Sequence, residues 1–294
     1  MSRVFSKEFV QGWKKALIDT YGFEEYMDFV VQPSFGKKYL SYLPFINYTD
    51  RTSEEIEDLL ELAKDNHFQI RTLNFDYQDF KDHDPVTLRL DVGGLSEEEL
   101  MMQRYKKLSR KLIRKYARDP KLHLEQKDDI PTYYAILKEI FKDHGTPVFP
   151  IELLYNLKKH LDQKMHIFLL YHDNEPVGGT LTFCDNGIGM LHMGGIPNRF
   201  KHISTGHFMD HNIIMHLKNL CDIQEVDFGR SPYNGGTYFY KTRFGAKPVK
   251  IDIHTDIQKD IYSAYSWASN IWKKLPDAIT DAIGPKLTKY LVDL

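Results

Sequence analysis

Residues 167–193 constrain this chain most. Three aliphatic and aromatic runs, 167–171, 177–183 and 188–193, are separated by Asp173-Asn174-Glu175-Pro176 and Asp185-Asn186-Gly187. Short apolar runs with turn residues at both corners read as a β-meander. Downstream, Met209, Ile213, Leu217 and Leu220 recur at helical spacing, which predicts a helix over 206–220. An antiparallel ribbon followed by a long helix points to an α+β architecture.

The remaining periodicities extend that pattern. Phe5, Phe9, Trp13 and Leu17 stand four apart and predict a helix over 4–20. Residues 53–64 read as a helix capped by Thr52 or Ser53. Residues 68–73, 86–90 and 249–253 read as strands, and 39–48 as a buried strand ending at Pro44. One long helix is expected over 95–118, opened by the Ser96/Glu99 capping-box pair. Further helices are expected over 130–144 and 151–161. A chain of 294 residues, 42% hydrophobic, can bury the core of one large or two medium domains. No run approaches about 18 apolar residues, and the N-terminus has no signal-peptide pattern. Two cysteines, Cys184 and Cys221, make no disulfide framework, so a reducing cytoplasm is the expected setting. A formal net charge of −2 argues against a general nucleic-acid coat and against DNA as a partner, while leaving room for a local basic groove.

Such a groove has a candidate. Between Arg104 and Lys121 lie nine cations and a single acid, Asp119. This is either a solvated helical face or, through Arg110 and Arg114 one turn apart, a clamp for a diphosphate or an RNA backbone. The stretch 226–246, VDFGRSPYNGGTYFYKTRFGA, is the other concentration of chemistry. Val226 and Phe228 begin a short strand that Gly229 interrupts. Arg230 and Ser231 follow at its edge. Pro232, Asn234, Gly235 and Gly236 make a loop, and Tyr238, Phe239, Tyr240, Lys241, Arg243 and Phe244 follow. Glycines beside converging cations suit an anionic or carbonyl ligand. The plainer alternative is a β-hairpin with turn glycines and solvated cations. His144, at a helix end, is either a site group or a histidine favoured by the helix dipole. His207 and His211 stand four apart, but the intervening residues do not make an H-E-x-x-H pattern, so no metal is expected.

These segments together resemble the FemAB-like proteins of the GNAT-fold superfamily. Asp227-Phe228-Gly229-Arg230-Ser231, Gly236-Thr237 and Tyr240 to Gly245 follow that family's D-F-G-R-S … G-T … F-K-x-x-W/F-G signature, with Tyr240 in place of Phe. Phe35-Gly36 with Leu40 to Tyr48 follows F-G-x-x-L-x-S-L-P-F-x-x-Y, although Thr49-Asp50 replaces the usual glycine pair. Leu108 to Ala117 aligns with K-x-R-x-x-I-R-K-A, and His144 to Pro150 with H-G-T-P-x-x-P. The tail, Trp272-Lys273-Lys274-Leu275-Pro276 and Ile283-Gly284-Pro285, is similar to that of the members associated with exopolysaccharide and PEP-CTERM systems. The resemblance spans about residues 35–294.

It implies α+β tandem GNAT-like units (the acyl-CoA N-acyltransferase fold). The first, 1–125, is short and degenerate; the second is 126–256; a helical tail follows over 257–294. It implies N-acyl or aminoacyl transfer to an amine of a cell-envelope or polysaccharide precursor. Lys241 and Arg230 are then the catalytic candidates, for oxyanion stabilisation and for orienting a carboxylate or phosphate. Arg110, Arg114, His144, Asp227, Ser231, Tyr233, Gly236, Tyr240 and Arg243 are the substrate-binding candidates. No bound cofactor is expected; the donor is aminoacyl-tRNA or acyl-CoA. The acyl-CoA loop Q/R-x-x-G-x-G/A is not reproduced, since 198–206 keeps only Arg199 and Gly206 at a different spacing. The expected partners are an anionic or lipid-linked precursor, tRNA as donor, and the inner membrane face, touched peripherally through 272–294. An acyl-CoA-dependent N-acetyltransferase and a non-catalytic GNAT-fold binding protein are the competing readings.

Overall fold

The structure, a computed structural model, describes residues 4–34, 36–256 and 268–291. Phe35 of the F-G motif lies outside the described residues, as do 257–267 and 292–294 of the tail. The chain forms two compact units, each assembled from interleaved segments. One consists of Ser6–Leu73, Leu137–Asp162 and Asp252–Leu294; the other consists of Met1–Phe5, Asn74–Ile136 and Gln163–Ile251 and holds the signature. The expected boundaries near 125 and 256 follow element order along the chain, whereas these units follow packing.

In the companion unit, α1 (Lys7–Tyr21) is capped by Ser6, whose Oγ accepts from the Phe9 amide, and it ends at Gly22 with φ 64°. Phe9, Trp13 and Leu17 are fully buried, as their spacing requires. Gly12 lies against α6 (Ile151–Leu161); a Cβ there would meet the His160 carbonyl oxygen at 2.9 Å, so the two helices approach closely only because the residue is glycine. Strands β1 (Glu24–Tyr26), β2 (Phe29–Ser34), β3 (Lys37–Ser41) and β4 (His67–Asn74) form an open sheet in that order. The first two escaped the sequence reading because they are short and carry no alternation. The helix expected over 53–64 starts later, as α2 (Glu57–Ala63) with no side-chain cap. Ser53 is engaged elsewhere: its amide donates to Leu73 O at 3.1 Å and its hydroxyl to Asp252 at 2.8 Å. In the L-P-F motif, Leu43 and Phe45 both adopt positive φ, 75° and 67°. The Trp13 indole donates to the Pro44 carbonyl between them at 3.0 Å.

In the signature unit the strand order is β11-β5-β10-β9-β8-β7-β6, with β5 (Pro85–Asp91), β6 (Leu122–Gln126), β7 (Met165–His172), β8 (Glu175–Asp185), β9 (Ile188–Gly195), β10 (Glu225–Pro232) and β11 (Lys247–Thr255). The meander is β7-β8-β9, all antiparallel, as the turn chemistry predicts. Helix α7 (Gly206–Cys221) buries Met209, Ile213 and Leu217 in one core with Phe168, Leu170, Val226 and Phe228.

The long basic helix expected over 95–118 is two helices, α3 (Glu97–Gln103) and α4 (Lys107–Tyr116). The capping box at Ser96 is present as predicted. The break at 104–106 comes from a tertiary contact. The Lys106 amide donates to Arg243 O at 2.8 Å, and a Cβ on Gly245 would lie 2.4 Å from Arg104 O. Backbone hydrogen bonding to the signature segment replaces the helical ladder there. Helix α5 (Ile130–His144) has the predicted bounds. In the described part of the tail, residues 268–272 are helical and α9 (Asp277–Leu287) follows them; α8 (Gly236–Lys241) lies in the signature. The fold is mixed α+β with open sheets and flanking helices, the GNAT-like class.

Candidate functional site

Strands β9 and β10 run parallel, yet only Glu225, Val226 and Asp227 pair with Ile188, Gly189 and Met190. Beyond that point β9 continues along β8 to Gly195, and β10 continues along β5 to Pro232. The carboxyl ends of two parallel strands thus part company. In open α/β sheets such a parting creates a crevice that holds ligands. Gly229, at φ 73°, occupies the bulge in β10 between Asp227 and Arg230. The glycine is needed because a side chain in that left-handed region is strained. The strand therefore does not stop at Gly229, as the sequence pattern suggests, but bends and runs on.

The signature's second half is helical rather than a hairpin arm. Gly236 opens α8, and a short 3-10 turn, Thr242–Phe244, ends at Gly245. This places Lys241 over the bulge, where its Nζ donates to the carbonyls of Gly229 and Arg230, each at 2.9 Å. Burial pulls the Lys241 ammonium down to about 8, against the opposing pull of Asp227 and Asp210. Tyr240 donates its hydroxyl to Asp210 at 2.8 Å. Asp210 is buried, and burial pushes its carboxyl up to about 6 in spite of that hydrogen bond. The His207 ring stacks on Phe244 at 5.3 Å and meets Tyr240 edge-on at 4.7 Å. Burial, then the Arg243 charge, hold its imidazole down to about 4. Thr205 Oγ1, His207 Nε2 and Ser231 Oγ are buried without a hydrogen-bond partner among the described residues. Buried polar atoms of this kind call for a partner, which water or a ligand can supply.

The other expected site residues fall as follows. Asp227 lies within the core: it accepts from Thr87 Oγ1 at 2.5 Å, Arg89 Nε at 3.2 Å and the Gly229 amide at 2.6 Å. It braces the bulge. Arg230 is half-buried on β10. Tyr233 stacks on Phe80 at 5.0 Å and packs on Tyr238 at 4.8 Å. The Arg243 carbonyl receives the Ser109 hydroxyl at 3.0 Å as well as the Lys106 amide. His144 is exposed at the end of α5 in the companion unit, its carbonyl accepting from Ser269. Asp50, standing where a glycine was expected, accepts from Tyr42 at 2.8 Å.

Helix α4 carries the second feature. Lys107, Arg110, Lys111, Arg114, Lys115 and Arg118 line a wide, open cavity of about 610 Å³. Arg110 also turns its guanidinium back onto carbonyls of the α3 end, nearest Tyr105 O at 3.0 Å. It therefore closes α3 as well as lining the cavity. Sequence reasoning missed Arg89 and Asp210; Arg89 is an isolated charge in an apolar run, and Asp210 lies between His207 and His211 with no spacing to mark it.

The fold is of the GNAT acyltransferase-like class. Residues 103–242 match the acetyltransferase (GNAT) domain family. Among solved structures the chain is similar to FemX, with 13% identity, 82% of this chain and 85% of that chain covered, and a TM-score of 0.56. It is similar to the C-terminal domain of a protein described as a lysylphosphatidylglycerol synthetase from Agrobacterium fabrum, at 10% identity, 90% and 95% coverage and TM-score 0.53. L-PGS from Bacillus licheniformis gives 11%, 94% and 99%, and 0.50. At these identities the likeness is one of fold. No curated protein sequence matches the chain. Among the described residues, no helix is long and apolar enough to cross a membrane.

Proposed function

We propose that this chain transfers an acyl or aminoacyl group to an amine of a cell-envelope or polysaccharide precursor, as a FemAB-like enzyme. The donor in this reading is a polyanion, aminoacyl-tRNA rather than acyl-CoA. The observation that carries it is the cavity on α4, whose lining residues are all cationic. A helix of ten residues is about 15 Å long. Cations spread along that length exceed what one diphosphate can use and suit a run of backbone phosphates. The description of one similar structure as a lysylphosphatidylglycerol synthetase supports aminoacyl transfer.

In this mechanism the acceptor amine attacks the ester carbonyl of the donor, an oxyanion forms, and the nucleoside hydroxyl leaves with the amine's proton. The crevice between β9 and β10 holds the carbonyl. Lys241 fixes the bulge carbonyls and, as a cation, stabilises the oxyanion. Arg230 orients a carboxylate or phosphate of the substrate. Peripheral contact with an anionic membrane through 272–291 would bring the enzyme to a lipid-linked acceptor.

The test supplies the full chain with a pool of radiolabelled aminoacyl-tRNA, or with labelled acetyl-CoA, and with amine-bearing envelope precursors. Label passing from tRNA to the acceptor supports the reading. Transfer from acetyl-CoA alone moves the assignment to a GNAT N-acetyltransferase. No transfer from either, with binding retained, makes the chain a binding protein.

A further inference from the structure

The strand ribbon holds a cluster that the transfer chemistry does not use. His166 lies on β7, Cys184 on β8 and Cys221 at the last position of α7. Their placement follows from register. His166 pairs with Thr182, so Cys184, two residues on, stands diagonal to His166 on the same sheet face. Helix α7 covers that face, and Cys221 continues its buried Ile213–Leu217 row at spacing four. The imidazole nitrogen and the two sulfurs all lie within 4.8 Å of one another, and Cys221 Sγ is 3.5 Å from His166 Nε2.

We propose that His166, Cys184 and Cys221 form a zinc site of two thiolates and one imidazole, with a fourth position open to water. Zinc takes tetrahedral sulfur and nitrogen ligands at about 2.3 and 2.0–2.1 Å, so its ligand atoms stand about 3.5–3.8 Å apart. The observed 3.5 Å is such an edge. Thiolates with imidazole select a soft or borderline ion over magnesium or calcium. The second ring nitrogen of His166 is held as a ligand's should be: its Nδ1 is 3.1 Å from the Gln126 amide, which also reaches His216 at 2.9 Å. Turning that amide about lets its oxygen accept from Nδ1–H, which frees Nε2 for the metal. Cys221 is half-exposed, so an ion can enter from the helix end. Bound there, zinc ties the end of α7 to the meander.

The full-length reduced chain is stripped with chelator, and zinc uptake is measured by elemental analysis and by competition with a chromophoric chelator. Cobalt is then used as a spectroscopic probe. The expected result is one ion per chain, a thiolate-to-cobalt charge-transfer band, and a melting temperature that rises with zinc. Gln126→Ala should weaken affinity by about 10–100-fold, and Cys221→Ser or His166→Gln by more. Cys184→Ser is the riskier variant for folding because Cys184 is buried; Cys221→Ser, at the helix end, decides if it fails. A folded chain that takes up no zinc, a cobalt spectrum without a thiolate band, or a Cys221→Ser affinity equal to wild type overturns the site. So does a Cys184–Cys221 disulfide that, once reduced, leaves a chain indifferent to zinc.

Discussion

Lys241 shows how one side chain serves structure and chemistry together. Its ammonium satisfies two bulge carbonyls, so Lys241→Met removes their donor as well as a charge. The expected outcome is a loss of about 1–3 kcal/mol in urea unfolding, with transfer lowered about 100-fold or more in the folded fraction. Near-normal kcat in that variant would remove Lys241 from the mechanism. Because its proton is held near 8, affinity for an anionic donor should fall as pH rises through that value in the wild type and stay flat in Lys241→Met. His207 and Asp210 make opposite contributions to stability. His207 stays neutral in the fold down to about 4, while the unfolded chain takes up a proton near 6.5, so its share is lost as pH falls between those values. Asp210 binds its proton at about 6 when folded and 3.8 when unfolded, so its share grows as pH falls over that window. Asp210→Asn should therefore lose stability more steeply than wild type between pH 6 and 4, by about 2–3 kcal/mol. Parallel melting curves of the two proteins across that range would refute it.

The elements separate two arginines that look alike in sequence. Both Arg110 and Arg114 line the α4 cavity, but only Arg110 also closes the carbonyl end of α3. Arg114→Ala should leave the melting temperature within experimental error, weaken tRNA binding and lower the salt slope by roughly one. Arg110→Ala should do the same and cost stability besides. If Arg114→Ala leaves affinity and salt slope unchanged, the face is only solvated and the donor binds elsewhere. The break between α3 and α4 belongs to the same logic. A continuous helix would deprive the Arg243 carbonyl of the Lys106 amide, and the signature turn would lose its anchor.

For the molecule as a whole, the tail sets a further test. The tail is expected to be helical and to touch a membrane peripherally, and α9 turns Thr280 and Gly284 to the inside and leaves Ile279 40% and Ile283 48% exposed. Lys273, Lys274 and Lys286 are exposed as well. Apolar groups with neighbouring cations favour an anionic interface. Full-length protein should co-sediment weakly with vesicles containing anionic lipid at low salt, less so at high salt, and Ile279→Ser/Ile283→Ser should reduce it. A wild-type protein that stays in solution at low salt makes the exposed face unrelated to membranes.

Local physics determined much of this protein. The meander, α5, α6 and α7 stand where turn residues and helical spacing place them, because each is specified by neighbours within a few positions. Gly229, Lys241 and the aromatic signature were legible as a concentration of chemistry, and the cations of α4 as a charged face. The use of these groups was decided only in three dimensions. Asp227 reads as a ligand-facing acid until Thr87 and Arg89, some 140 positions away, enclose it. The basic helix reads as continuous until the signature turn interrupts it. Cys184 and Cys221 read as isolated thiols until strand register and the end of α7 bring them to His166. In each case the deciding partner lies far along the chain, and periodicity carries no information about contacts at that separation.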